Sequence, residues 1–299
     1  MPRFLAPVFG LLACFALSPV FAQVVERAPR VEVVPIKGPL FELRGKGGNV
    51  VASIGEDGVL LIDSDYAEYA AAHEAALSAL QITPGAPRYL FNTHWHFDHV
   101  GGNLFWGEKG TLIAAQENVY QRMSTRQEMK IFDRVVEPAP AAALPVITYS
   151  DEMIITFNDD RIRARHFPHG HTDGDSIIFF TAQNVVHMGD HLFRDAFPFV
   201  DIGSGGNAIS LIENLVAVRD MINDDTVLVP GHGAGFLDKA ELTAYIKVLE
   251  DTARIVQAAL AQGKSVEDIT AAGLGDQYAS YGQGFISEAA WISFVAGSL

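Results

Sequence analysis

Ten consecutive residues constrain this 299-residue chain more than any others: Thr93-His94-Trp95-His96-Phe97-Asp98-His99-Val100-Gly101-Gly102, directly after the apolar run Tyr89-Leu90-Phe91. Three imidazoles and a carboxylate within six residues, embedded in apolar sequence, are costly to bury unless a cation shares them. Imidazole nitrogen and carboxylate oxygen are also the donors a borderline-soft divalent ion accepts. On a strand, alternate residues share a face, so His94 and His96 are aimed together. A turn that sends Asp98 and His99 the other way lets one stretch serve two adjacent ions, and Gly101-Gly102 permit tight backbone there.

Further donors recur downstream, each at the end of a strand-like run or in the turn after it. His169-Gly170-His171-Thr172-Asp173-Gly174-Asp175 precedes Ser176-Ile177-Ile178-Phe179-Phe180. Val185-Val186-His187-Met188-Gly189-Asp190 ends in a carboxylate, and Thr226-Val227-Leu228-Val229-Pro230-Gly231-His232-Gly233 ends in an imidazole between glycines. Loops held by a rigid sheet are where such scaffolds place their chemistry.

The order HxHxDH, His-Thr-x-Gly-Asp, Gly-Asp, Gly-His-Gly resembles the metallo-β-lactamase superfamily from about residue 40 to residue 235. Asp63, closing Gly58-Val59-Leu60-Leu61-Ile62-Asp63, matches its first motif. The resemblance implies that His94, His96 and His171 hold a first metal. It gives Asp98, His99 and His232 to a second, with Asp190 bridging and Asp63 steadying a ligating imidazole from behind. It further implies an α/β fold, the four-layer αββα sandwich of two pseudo-symmetric halves with the metals at one edge. Two zinc ions are the expected cofactors from the nitrogen-rich donor set. Asp190, standing where some relatives carry a thiolate, makes the second site harder and keeps iron or manganese open.

Outside these motifs, His73 reads as a surface residue of an alanine-rich helix. His166 and His187 read as packing residues, and His169 and His191 as groups able to reach the cleft. Arg194 is a candidate for a substrate carboxylate, and Asn207, in Gly205-Gly206-Asn207, for a developing oxyanion.

Residues 1–22 read as a secretory signal: Arg3, then apolar sequence to Leu17, then Val20-Phe21-Ala22 as the cleavage site. The expected mature chain, residues 23–299, is one domain, periplasmic or secreted. Pro19 breaks the apolar run, which is short for a permanent membrane span. Leu11-Leu12-Ala13-Cys14 only faintly resembles a lipoprotein site. Cys14 is the chain's single cysteine, so the mature protein has neither disulfide nor thiolate nucleophile. The formal charge of -15 becomes one unit more negative without Arg3. That surface argues against nucleic acid as the partner; the partner that the resemblance and the metal chemistry imply is a small-molecule carbonyl substrate.

Strand-like runs at 31–37, 40–44, 49–54, 58–63 and 88–92 enclose a helix near 66–81. A second set at 146–149, 153–158, 161–167, 176–181, 184–188 and 226–230 encloses a helix near 208–222. Helices near 236–262 and 286–297 follow. Residues 116–132 read as one or two helices, and the proline-alanine segment 138–145 as a semi-rigid connection able to overhang the cleft. Gly45-Lys46-Gly47-Gly48 reads as a flexible loop at its border.

The function these residues imply is hydrolysis. A water held by one or two dications loses a proton near neutral pH, Asp98 orients it, and a carbonyl is opened. The histidine-rich set with Asp190 looks more like glyoxalase II and lactonases than the cysteine-bearing β-lactamases. The expectation is thus a β-lactamase-like hydrolase, with a lactonase or thioesterase as alternative. A di-iron oxidoreductase and a non-catalytic periplasmic accessory protein are the other classes.

Overall fold

The computed structural model describes Pro2, residues 28–80 and residues 85–299. Apart from Pro2, the leader expected over residues 1–22 lies outside the described residues. β1 (Glu32–Lys37), β2 (Leu40–Arg44), β3 (Val50–Gly55) and β4 (Gly58–Ile62) pair consecutively as antiparallel neighbours. Helix α1 (Ala70–Leu80) crosses over, and β5 (Tyr89–Phe91) joins β4 in parallel. Short helices α2 (Phe97–Val100) and α3 (Asn103–Gly107) lead to β6 (Leu112–Gln116), and α4 (Glu117–Met123) to the hairpin β7 (Gln127–Met129) and β8 (Arg134–Val136). β9 (Ile147–Tyr149) completes a seven-stranded sheet in the order β1-β2-β3-β4-β5-β6-β9.

The second sheet repeats the scheme. β10 (Glu152–Phe157), β11 (Asp160–His166), β12 (Ser176–Phe180) and β13 (Val185–His187) are antiparallel. Helix α5 (Ala208–Met221) then crosses over to β14 (Val227–Val229), parallel to β13. Helices α6 (Lys239–Ala261), α7 (Val266–Ala272) and α8 (Glu288–Gly297) close the chain.

Alternation along the strands sets the layers. Leu60 and Ile62 face the second sheet, into a core shared with Ile162, Ile178, Phe180 and Val229. Val59 and Leu61 face outward, onto Leu77 of α1 and Trp106 of α3. In β12, Ile178 and Phe180 point inward while Ile177 and Phe179 meet α5, α6 and α8. Strands covered on both faces read as unbroken apolar runs. The result is the expected helix–sheet–sheet–helix sandwich.

The segment before β9 departs from expectation. Helix α4 stops at Met123, and residues 127–136 form a hairpin that belongs to neither large sheet. Asp133, with φ 46°, makes its turn. Met129 is buried beside Trp95 and Val119, so tertiary packing outweighs local helix propensity here. The proline-alanine segment packs away from the cleft: Asn103 Nδ2 donates to Ala143 O at 3.1 Å. A Cβ on Gly107 would sit 1.7 Å from Ala142 O, so only glycine allows that approach.

Candidate metal centre

β5 ends at Phe91, and the backbone of the next residues is fastened to both sheets. Asn92 N–H donates to Ala114 O (3.0 Å), and Thr93 O accepts from Ser176 N–H (2.8 Å). His94 and His96 therefore sit on an extended connection rather than on the strand itself, and His96 begins α2, whose first turn carries Asp98 and His99. His171 comes from the β11–β12 loop, Asp190 from the turn after β13, and His232 from the turn after β14. All seven lie at one edge, where the two sheets meet.

Four imidazoles are held by one nitrogen with the other turned to a common centre. His171 Nδ1 bonds Phe199 O at 2.7 Å, and His99 Nδ1 bonds Asp63 Oδ2 at 2.8 Å. His96 Nε2 bonds Asp201 Oδ2 at 3.0 Å. His94 Nδ1 lies 3.0 Å from Thr93 Oγ1, which itself donates to Asp63 Oδ2 at 2.8 Å. Asp63 thus supports two rings. Such outer partners choose the tautomer and leave the inner nitrogen a lone pair.

The inner atoms form two groups, His94, His96, His171 and Asp190, then Asp98, His99 and His232, with the ligand atoms of each within 4.8 Å of one another. Asp190 touches both. Its Oδ2 lies 3.4 Å from His171 Nε2 and 3.3 Å from His232 Nε2, and its Oδ1 lies 3.1 Å from His99 Nε2. Asp98 Oδ2 is 3.3 Å from His232 Nε2.

Charge is sharply divided in this centre. Burial holds His94 well below the usual imidazole range and brings His171 down to about 4, so both are neutral. Burial also works against protonated His99 and His232, yet Asp190 and its neighbouring carboxylates outweigh it: His99 is held well above its ordinary value and His232 at about 9. Asp98, which burial would raise, is brought down to about 2 by His99 and His232. Protons thus occupy part of a cluster rich in lone pairs.

Two buried atoms of the seven donors remain without a hydrogen bond. His94 Nε2 has no hydrogen-bond partner, and neither has Asp190 Oδ1, despite its closeness to His99. Left so, His94 Nε2 would lose about 1–3 kcal/mol by unmet desolvation, a cost that His99 offsets in part at Asp190 Oδ1. Divalent ions coordinated by nitrogen and oxygen satisfy both, so this donor set fits the metals the sequence implied.

The centre floors a cleft of about 520 Å³. Gly45 to Gly48 forms a pinned border, not a flexible one. Lys46 and Gly47 N–H donate to the Asp65 carboxylate at 3.2 and 2.8 Å, and Gly48 N–H to Asp98 O at 3.0 Å. Arg194 lines the cleft, but its guanidinium donates to Phe236 O (2.7 Å) and Glu241 (3.2 Å) and lies 3.5 Å from Asp195. Lys46 also lines it and has no ion pair among the described residues. Asn207 is committed elsewhere: its Oδ1 caps α5 by accepting from Ile209 and Ser210 N–H, and its Nδ2 donates to Ser298 O. The oxyanion role expected for Asn207 gives way to that cap.

His73 corrects another expectation, being 1% exposed with Nε2 3.0 Å from Asp65 Oδ2. His169 bonds Gly205 O from an exposed loop. His191 is buried beside Asn214, and His187 is a buried packing residue bonded to Asn49 O. Asp201 is the functional group that sequence reasoning missed. It lies 105 residues from His96 and carries only the local signal of a turn, which it also makes by accepting from Ser204 N–H.

The family model of the metallo-beta-lactamase superfamily matches residues 43–250, a span that holds all seven donors. This chain belongs to the metallo-beta-lactamase superfamily. No curated protein matches it. Among solved structures, a metallo-beta-lactamase from Pontibacter korlensis superposes with a TM-score of 0.60 at 15% identity, covering 74% of this chain and 99% of that one. The DIM-1 metallo-beta-lactamase gives 0.59 at 14%, covering 75% and 99%. The stereoselective inverting sec-alkylsulfatase Pisa1 from Pseudomonas sp. gives 0.65 at 14%, covering 89% of this chain but 49% of that one. At these identities the likeness shows the superfamily fold.

Proposed function

We propose that this superfamily member is an exported hydrolase of carbonyl compounds that works with two bound dications, zinc by preference and iron or manganese as alternatives. One observation carries the reading: seven donors converge in two groups that share Asp190, with an unmet lone pair on His94, at the floor of an open cleft. Ions held there supply Lewis acidity and a water acidified to near-neutral pH.

The protein's own residues do the rest. His94 and His171 are held as neutral donors beside Thr93 and Phe199 O, and Asp201 fixes the ring of His96, so these three need no reorganisation to bind. Asp98 is anionic at neutral pH and lines the cleft. It accepts a hydrogen bond from the attacking water and aims its lone pair at the carbonyl. Lys46 offers a cation to an anionic group of the substrate, whereas the charge on Arg194 is already balanced by Glu241 and Asp195.

β-Lactams, lactones and thioesters share the required carbonyl, and the sulfatase likeness adds a sulfate ester as a control of another class. The test is elemental analysis of protein purified without added metal, followed by nitrocefin, a carbapenem, a lactone, a thioester and an alkyl sulfate, with zinc and with chelator. Chelator-sensitive turnover of at least one carbonyl substrate is the expected outcome. Activity indifferent to chelator in metal-free protein, or redox turnover with a di-iron content, would overturn the reading.

A further inference from the structure

His96 begins a file of aromatic rings. It stacks on Phe199 with centroids 5.7 Å apart and planes at 29°. Phe199 meets Phe132 at 5.4 Å, and Phe132 stacks on Phe285 at 6.1 Å and 27°. The file runs from the donor cluster to solvent, where Phe285 is 72% exposed. Its rings come from four separate segments, and all four line the cleft.

A lone exposed apolar side chain is ordinary, but Phe285 is held in place. A Cβ on Gly284 would lie 2.9 Å from Ala196 Cβ, so the backbone is pressed against the loop after Asp190. Ile286 on the other side is buried, and Ser287 caps α8. The ring is presented to solvent by fixed backbone, in continuity with the donor cluster.

Resting on the hydrolase reading above, we infer that this file seats an extended apolar arm of the substrate, and that Phe132 and Phe285 set the preference for it. The substrate class is a carbonyl compound bearing a hydrophobic substituent of several carbons. Phe285 lies beyond the family match at residues 43–250, so the outer end of this wall belongs to the C-terminal segment.

The test separates binding from turnover. Displacement of 1-anilinonaphthalene-8-sulfonate by 1-butanol through 1-octanol reads the arm alone, on the protein as purified. Hydrolysis of p-nitrophenyl esters from acetate to octanoate reads the same arm in turnover. Each added methylene should tighten displacement about two- to fourfold. Phe285→Ser should weaken octanol about tenfold and flatten the chain-length slope, while Phe285→Leu keeps most of it and both variants keep the native circular dichroism.

Failure of the dye to bind would overturn the inference, as would an undiminished slope in Phe285→Ser. A concentration-dependent dimer that Phe285→Ser abolishes would also overturn it, since a second copy would then cover the ring. Alkanol binding with the expected slope but no ester hydrolysis removes the hydrolase reading and leaves the apolar seat standing. Hydrolysis with no chain-length dependence does the reverse.

Discussion

At the scale of single residues, Asp98 and Asp201 do different work that separate measurements resolve. Asp98 faces the cleft as an anion, so Asp98→Asn should lower kcat by roughly a hundredfold or more with unchanged circular dichroism; full activity would refute its orienting role. The Asp201 carboxylate bonds His96 and its own turn and lines no part of the cleft. Asp201→Asn should weaken metal binding by about ten- to a hundredfold, read by competition with a chromogenic chelator. An unchanged affinity would reduce Asp201 to a turn residue. Of the two carboxylates, only Asp98 sits inside a sequence motif. The other is defined by a partner the chain reaches from the opposite half.

At the scale of elements, the turns matter more than the helices. Gly48 lies where a Cβ would be 2.1 Å from His99 Cε1, so Gly48→Ala must displace either the β2–β3 loop or a donor ring. Metal content should fall along with the melting temperature. By contrast, α6 opens with a capping box between Asp238 and Glu241 that bonds none of the seven donors. Asp238→Ala should lose about 1 kcal/mol of stability with metal affinity untouched. If both variants lose metal equally, the claim that the pinned glycine loop sets donor position falls. The hairpin β7–β8 illustrates the limit of local reading. Its residues have no strong strand pattern, and it exists because Met129 and Phe132 find apolar neighbours in other parts of the fold.

At the scale of the whole molecule, the metal-free centre is an electrostatic compromise that pH should expose. His232 and His99 have folded pKa values above 6.5, so their contribution is complete below 6.5 and is lost as pH rises, through about 9 for His232. His94 and His171 are shifted the other way: their contribution is complete above 6.5 and is lost as pH falls, through about 4 for His171. Metal-free protein should therefore be most stable near pH 6.5, and its melting temperature should decline toward pH 9. A steady rise over that interval would contradict the assignment of protons. Adding zinc should release protons from His99 and His232 and flatten the alkaline decline. Zinc at a thousand times Kd adds about 4 kcal/mol.

Much of this molecule is written locally. Unbroken apolar runs such as Gly58–Ile62 and Ser176–Phe180 specify strands buried on both faces, because the two-residue period leaves no solvent side to mark. The donor motifs are equally local, each a short stretch of imidazole, carboxylate and glycine beside the end of a strand. Tertiary structure alone decided the rest. Asp201 behind His96, Arg194 against Phe236 and Glu241, Asn207 Nδ2 on Ser298 O, and the ring file ending at Phe285 are all pairings between distant segments. Their partners are chosen by how two sheets and their covering helices pack, and no window of sequence contains both members of such a pair.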